Sequence, residues 1–392
     1  PNVVAAEANK SSDLKFKDMQ KQLAGMESKL QSFDNKLQTV AEKSAARLPP
    51  PAPAAPQGPS TQVLLTEIQK IKSDLNAAVQ VRERSQTAAE AAALKNIEKT
   101  IDKAAVAAGD AQFKAFSHNL YGDETRANPY HYGHLPEVTV HPDGTGSIKK
   151  HFCLGRISHE LVQVMPDNRT VFMGDDATNS GYFVFIADKE KDLSSGTLYV
   201  AQVGEGFSIE PGTPAASLKW IKLGSATSQE IEQLAHRLKA IDIFELKNSD
   251  PQDDRFTRIV ANGKVEWLKL KPGMEKAAAF LETHRYAALV GASMGFSKME
   301  GTTVNIKDKV AYSALQNCIA SMVVGHPAHV PAHGISIPKA LNAGAVMALN
   351  LKGGLRDTQG GAIRSEWMPA DTRALIAGKD IASDALGNTA DP

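Results

Sequence analysis

The feature that most constrains the fold is a series of short β-type runs that begins near residue 113 and continues to the end of the chain. Turn residues, mainly Gly, Asp and Pro, separate the runs. This texture is typical of an all-β sandwich or a propeller, because each short strand must pair with a neighbour across a tight turn. The predicted strands are 137–140, 171–173, 182–186, 197–203, 265–270, 310–314 and 345–351.

Two helical patterns interrupt this region. One covers residues 228–240 and opens with Ser228, a residue type that caps helix N-termini. The other covers residues 274–287 and follows Pro272 and Gly273. The region is therefore predicted to be mainly β, with few helices.

The first part of the chain shows the pattern of a coiled coil. Apolar residues within 13–41 recur at alternating spacings of three and four, which places them on one narrow stripe of a helix. Such a stripe needs a partner helix to cover it. The stripe consists of Phe16, Met19, Leu23, Met26, Leu30, Phe33, Leu37 and Val40.

A proline-rich tract divides the helical part in two. Prolines lack the amide donors of a helix, so this tract is predicted to be a stiff spacer. We expect the helices at 13–41 and 61–108 to form a homo-oligomer or to bind an envelope partner. A spacer hairpin within one chain is the open alternative. The predicted domains are a coiled-coil helix at 1–47, a linker at 48–60, a second helical segment at 61–110 and a β region at 111–392.

Composition excludes several classes of protein. Lys and Arg number 44, as do Asp and Glu, so the formal net charge is zero and nucleic-acid binding is not expected. No run of about 18 apolar residues occurs, so no transmembrane segment is expected. Cys153 and Cys318 are too few for a disulfide scaffold.

Two motifs carry little chemical signal. The sequence GASMG at 291–295 has the spacing of a nucleophile elbow, but no helix pattern follows it. Histidines recur within 118–159 and within 326–333, in segments without Cys or carboxylate partners at zinc spacing. We interpret these histidines as core or surface residues.

Charged residues at strand ends are the stronger signal. Asp175 and Asp176 end a predicted strand, Glu160 precedes an apolar segment, and Lys298 and Glu300 would share one face of an extended segment. Carboxylates from separate strand ends can form a Ca²⁺ or Mg²⁺ site, and a nearby cation can hold phosphate. From the residues alone, these groups could equally be turns and solvated ion pairs.

A family resemblance extends this interpretation. The segments GRISHELVQVMPD at 155–167, VFMGDD at 171–176 and LSSGTLYVA at 193–201 resemble the PhoX-type alkaline phosphatase family. Similar residues continue at 220–224, 282–287, 295–301 and 312–315, so that the resemblance covers roughly residues 113–392. It implies a β-propeller, whole or incomplete, with iron and calcium in the central channel. It also implies hydrolysis of phosphate monoesters by a periplasmic, secreted or surface protein of bacteria.

The resemblance assigns roles by motif. Glu160 and Glu300 match metal-binding glutamates of the family, and Asp175 or Asp176 matches a further calcium ligand. Lys298 stands where the family has an arginine that grips phosphate. Lysine lacks the two-pronged fork of arginine.

The sequence also departs from the family. No counterpart of the cysteine segment that binds iron is found upstream, and the acidic segments that follow in relatives are not present, so iron is less expected than calcium. Two hypotheses remain. One is a metal-dependent phosphomonoesterase, and the other is a non-catalytic envelope or surface-assembly protein built on a degenerate propeller with a helical arm.

Overall fold

The computed structural model describes residues 113–381 and 390–391. The chain divides into two compact units, 1–127 and 128–392. In the first unit, the described residues form a helix at 113–121 and a turn in which Asp123 accepts a hydrogen bond from the Thr125 amide at 2.7 Å. The coiled coil, linker and second helical segment lie outside the described residues and stay predictions. Within the described residues, no helix is long and apolar enough to span a bilayer.

The second unit consists mainly of antiparallel strands, which confirms the mainly β prediction, and each strand predicted above is present. The strands are β1 (Leu135–Val140), β2 (Gly146–His151), β3 (His159–Val164), β4 (Thr170–Asp175), β5 (Thr178–Ser180), β6 (Phe183–Lys189), β7 (Asp192–Val203), β8 (Ala216–Thr227), β9 (Phe244–Lys247), β10 (Thr257–Ala261), β11 (Lys264–Leu270), β12 (Phe296–Ser297), β13 (Met299–Asn305), β14 (Val310–Leu315), β15 (Ala345–Lys352), β16 (Met368–Pro369), β17 (Asp371–Ala377), β18 (Lys379–Asp380) and β19 (Ala390–Asp391). The α-helices are α1 (Ser228–Arg237), α2 (Ala240–Ile243), α3 (Glu275–Leu281) and α4 (Thr283–Leu289), and 3-10 helices occur at Pro129–His131, Phe152–Leu154, Ala320–Met322 and Pro331–His333.

Ten strands form one large sheet that is nearly closed into a barrel. The order is β13-β14-β15-β17-β8-β7-β6-β4-β3, with β16 added beside β15. The end strands β13 and β3 lie against each other. Strands β17 and β8 share only two residue pairs, so the sheet consists of two meanders joined by a short contact. This strand order does not show a propeller, which stays a prediction.

Both faces of β4 and β6 are buried, and for this reason their apolar runs at 171–173 and 183–187 are uninterrupted. Side chains of β6 alternate between two cores: Phe183 and Phe185 face one, and Val184 and Ile186 face the other. Helices α1, α3 and α4 cover the first core. In the second core, the Trp220 indole donates to the Pro369 carbonyl at 2.7 Å.

The helices differ from their predicted bounds in two ways. Thr227, not Ser228, caps α1: its hydroxyl accepts from the Glu230 amide at 3.1 Å, and the Glu230 carboxylate accepts from the Thr227 amide at 2.7 Å. This reciprocal capping box needs a carboxylate three residues after the cap, which Thr227 has. The pattern over 274–287 is two helices, because the backbone at Glu282 leaves the helical conformation.

Candidate functional site

The two predicted glutamates occupy matching positions in the end strands of the large sheet. In β3, His159 pairs with Asp175 and Leu161 pairs with Gly174, so Glu160 is an extra, bulged residue. In β13, a register shift between Met299 and Gly301 makes Glu300 the extra residue. Bulges turn a side chain away from the regular alternation and are common beside active sites. The fold therefore brings both glutamates to bulges on neighbouring strands.

Lys298 lies between β12 and β13 in the left-handed backbone region, with a φ of 51°. Its amide donates to the Ala177 carbonyl at 3.2 Å, and its carbonyl accepts from the Gln316 amide at 2.8 Å. The sequence-based expectation of an extended segment is therefore wrong at this residue. Lys298 approaches Glu300 because the backbone turns at Lys298 and bulges at Glu300. The regular alternation of side chains along a strand is not the cause.

A half-buried ion cluster forms around this lysine. The Lys298 ammonium contacts one oxygen of Asp176 and lies 3.6 Å from Oε1 of Glu300. The hydrogen bond from Lys298 to Asp176 raises the pKa of the lysine above its usual value. Two carboxylates from distant parts of the chain thus share the Lys298 ammonium. The sequence predicted instead that such carboxylates hold a metal ion, which stays a prediction. Glu160 is solvent-exposed, on the bulge of neighbouring β3.

The close approach of β13 to β4 depends on a glycine. A Cβ atom on Gly174 would lie 3.1 Å from the Cβ atom of Met299, tighter than ordinary packing allows. Any larger residue at this position would push β13 away from β4. Since Gly174 directly precedes the two aspartates, this close packing keeps Lys298 within reach of Asp176.

Asp175 differs from its neighbour because protein groups bind both of its oxygens. The carboxylate is fully buried, its Oδ1 accepts from the Ser158 amide at 2.9 Å, and its Oδ2 pairs with Nε2 of His284. His159 lies beside this pair, with Nε2 3.1 Å from the Gly155 carbonyl, and burial lowers its pKa. Of the two adjacent aspartates, Asp176 is therefore the one that faces the ion cluster.

A second charged network was not predicted from the sequence. Arg285 donates to both oxygens of Glu266 at 2.7 and 2.8 Å, and to Glu282 at 2.7 Å. The Tyr130 hydroxyl donates to the other Glu282 oxygen at 2.7 Å. Burial raises the Tyr130 pKa, and the Glu282 charge adds to this effect. Because α4 carries both Arg285 and His284, this network fixes the helix that holds Asp175.

The weaker sequence motifs have structural roles. The Ser293 hydroxyl of the GASMG segment is buried and accepts from the Val203 amide at 2.8 Å, so it is not an exposed nucleophile. His134 and His333 are buried, and burial lowers their pKa values to about 3 and about 4. Burial raises the pKa of Cys153 to about 11 and that of Cys318 to about 12.

Of the two metals implied by the resemblance, calcium suits the residue types of the candidate site and iron does not. Asp176, Glu300 and Glu160 supply the carboxylate oxygens that calcium prefers. Iron bound through a thiolate does not fit, because both cysteines of the chain are buried thiols with raised pKa values. Within the described residues, no group of three or more His, Cys, Asp or Glu side chains is arranged to hold a metal ion.

Comparisons with known proteins agree with the sequence resemblance. The family model for alkaline phosphatase PhoX matches residues 84–347, a span that includes the ion cluster. No curated protein matches the chain. A solved structure, Pseudomonas fluorescens PhoX in complex with vanadate, a transition state analogue, is 21% identical with a TM-score of 0.36. The match covers 56% of this chain and 33% of that protein, so the chain spans about a third of the length of that relative.

Proposed function

The chain belongs to the alkaline phosphatase PhoX family, and on this premise we propose that it hydrolyses phosphate monoesters at the cluster of Asp176, Lys298 and Glu300. The observation that carries the proposal is the ammonium group held between two carboxylates at the bulged edge of β13. This cluster lies within the span that the family model matches. A cation that is half-buried and held in place can bind a phosphate oxygen and stabilise the charge of the transition state.

Lys298 is the residue that would contact the phosphoryl group. Its raised pKa keeps the ammonium protonated under alkaline conditions, which an anion-binding group of an alkaline phosphatase requires. A lysine offers a point charge and not a planar fork, so it holds one phosphate oxygen at a time. In this role Lys298 exchanges one of its carboxylate contacts for a contact with the substrate.

The carboxylates would hold calcium beside this cation. Asp176 and Glu300 would be two of its ligands, and exposed Glu160 on the neighbouring bulge would have to turn towards them to be the third, since the described residues hold no preformed group of three. A bound calcium ion supplies Lewis acidity and neutralises phosphate charge. Asp175 has a positioning role in this proposal: through Ser158 and His284, it fixes the turn that presents Asp176.

A second candidate function is a non-catalytic role in surface assembly, in which the ion cluster only stabilises the fold. The observation that favours it is the saturation of Lys298, whose ammonium already has two carboxylate neighbours. This arrangement neutralises the cation without a substrate.

The wider architecture is proposed on the same premise. The meander β13-β14-β15-β17 has four strands, as a propeller blade does, and the meander β3-β4-β6-β7-β8 has one strand more. We propose that the chain has the four predicted domains. We also propose that the helices at 13–41 and 61–108 bind other copies of the chain or an envelope partner. We also propose a periplasmic, secreted or surface location.

The test is hydrolysis of p-nitrophenyl phosphate at alkaline pH, with calcium or with EDTA, and elemental analysis for Ca and Fe. We expect turnover that EDTA abolishes. Lys298→Ala should lower kcat/KM by about 100-fold, the usual cost of losing one group that stabilises transition-state charge. Lys298→Arg should retain more activity, because the guanidinium keeps the charge.

The matched control is Lys307→Ala, which removes an exposed lysine from the turn between β13 and β14. This variant should keep the activity of the unmodified chain. Turnover that survives Lys298→Ala unchanged contradicts the assignment of the site. A folded chain that neither hydrolyses the ester nor binds metal supports the second candidate.

A further inference from the structure

Two histidines far apart in sequence meet on the surface of the second unit. His131 ends the 3-10 helix Pro129–His131, and His236 lies in the last turn of α1. Asn128 joins the two elements, because its side-chain amide donates to the Ala235 carbonyl at 2.8 Å. As a result, Nε2 of His131 lies 3.1 Å from Nδ1 of His236. Neither histidine belongs to the candidate phosphate site.

The separation of the two nitrogens is suited to a shared metal ion. Nitrogen ligands lie about 2.0–2.1 Å from zinc, so nitrogens 3.1 Å apart subtend an angle of about 98° at one ion. This value lies between about 90° for octahedral and about 109° for tetrahedral coordination. The nitrogens therefore do not need to move for both to bind one ion.

The orientation of the rings supports the same conclusion. A ring centroid lies about 1.15 Å behind its nitrogen, so a head-on N–H···N hydrogen bond of this length would place the centroids about 5.4 Å apart. Two rings that converge on one ion would have centroids about 4.8 Å apart. The observed separation is 4.7 Å, with an interplanar angle of 79°. This separation matches the converging arrangement and is shorter than the head-on one. The Asn128 amide nitrogen lies 3.4 Å from Nε2 of His131.

Charged groups also lie around the pair. Burial, His236 and Lys150 each lower the pKa of His131. Lys150 donates to the His131 carbonyl at 2.6 Å. The carboxylate of Glu232 acts on His131 in the opposite direction, and it lies one helical turn before His236 on α1.

We infer that His131 and His236 form a binding site for a divalent metal ion of the Zn²⁺, Ni²⁺ or Cu²⁺ type. Imidazole nitrogen suits these ions, whereas calcium prefers oxygen. Water completes the coordination. Because His131 and His236 belong to different elements, the bound ion ties the Pro129–His131 helix to the end of α1.

The test is titration of the tag-free chain with Zn²⁺ or Cu²⁺ at pH 7.5. Metal binding is measured by competition with a chelating dye. His131→Ala and His236→Ala should each remove one binding equivalent, or weaken it at least tenfold. His141→Ala is the matched control, since His141 is an exposed histidine at the end of β1. It should bind as the unmodified chain does.

A second measurement separates metal coordination from a purely structural role of the pair. Electron paramagnetic resonance of the Cu²⁺ complex should show coupling to two imidazole nitrogens in the unmodified chain and to one in His236→Ala. Glu300→Gln should leave this signal unchanged, so failure of the proposed phosphatase site does not affect the result. Equal metal stoichiometry and affinity in all variants would overturn the inference and leave the two histidines as a hydrogen-bonded pair.

Discussion

Substitution of Arg285 by methionine removes the cation from the buried network with Glu266 and Glu282. Three hydrogen bonds of 2.7–2.8 Å are lost, and two carboxylates that are 7% and 6% exposed lose their counter-charge. Removing one partner of a buried ion pair costs about 3–5 kcal/mol. The Arg285 side chain is 30% exposed and Tyr130 still donates to Glu282, so we expect a loss at the low end, about 3 kcal/mol.

The assay is urea denaturation followed by circular dichroism, in which the midpoint should fall at an unchanged slope. The control is Arg255→Met, because Arg255 makes the same two-pronged contact with Asp253 on the surface. That variant should unfold as the unmodified chain does. The double variant Arg285→Met with Glu266→Gln should recover part of the loss, since one uncompensated charge is removed. Equal stability of Arg285→Met and Arg255→Met would refute the reasoning.

Three further predictions concern stability and reactivity. Thermal stability should fall as the pH drops from about 6.5 towards 4. His134 and His333 are buried with pKa values of about 3 and about 4, so over this range they bind protons only in the unfolded chain. A His134→Gln variant that shows the same decrease would contradict this cause. Cys153 and Cys318 should not react with Ellman's reagent in the native chain, because they are buried and their pKa values are raised. Both should react in guanidinium. Rapid labelling of the native chain would contradict this prediction. Thr227→Ala should cost about 1 kcal/mol in urea denaturation, with Thr227→Ser close to the original, and an unchanged midpoint would mean that the capping box contributes nothing.

Much of the secondary structure was predictable because it follows from local patterns. The apolar run at 182–186 is bounded by turns and became β6, with alternate residues facing two cores. Local patterns also predicted the helix near residue 228. However, Ser228 was assigned as its N-cap, one residue after the observed cap Thr227. The signal for Thr227 was present in the sequence as a carboxylate three residues ahead, at Glu230.

The chemistry of the candidate site was only partly predictable. The sequence selected Asp175, Asp176, Lys298 and Glu300 as candidates, and their functional roles stay predictions. The contact between Lys298 and Asp176 was not predicted. The pattern did not reveal that protein groups already bind both oxygens of Asp175, because the partner His284 lies more than 100 residues away.

By itself, the sequence determined the β-rich class, the positions of seven strands and the identity of the charged residues, because these depend on side chains close together along the chain. Only the tertiary structure decided which charges meet. The bulges at Glu160 and Glu300, the left-handed turn at Lys298 and the contact between His131 and His236 all depend on how distant strands and helices pack. Residue spacing does not predict such packing. A register shift of one residue moves a side chain to the other face of a sheet, and the spacing along the chain does not show where such a shift occurs.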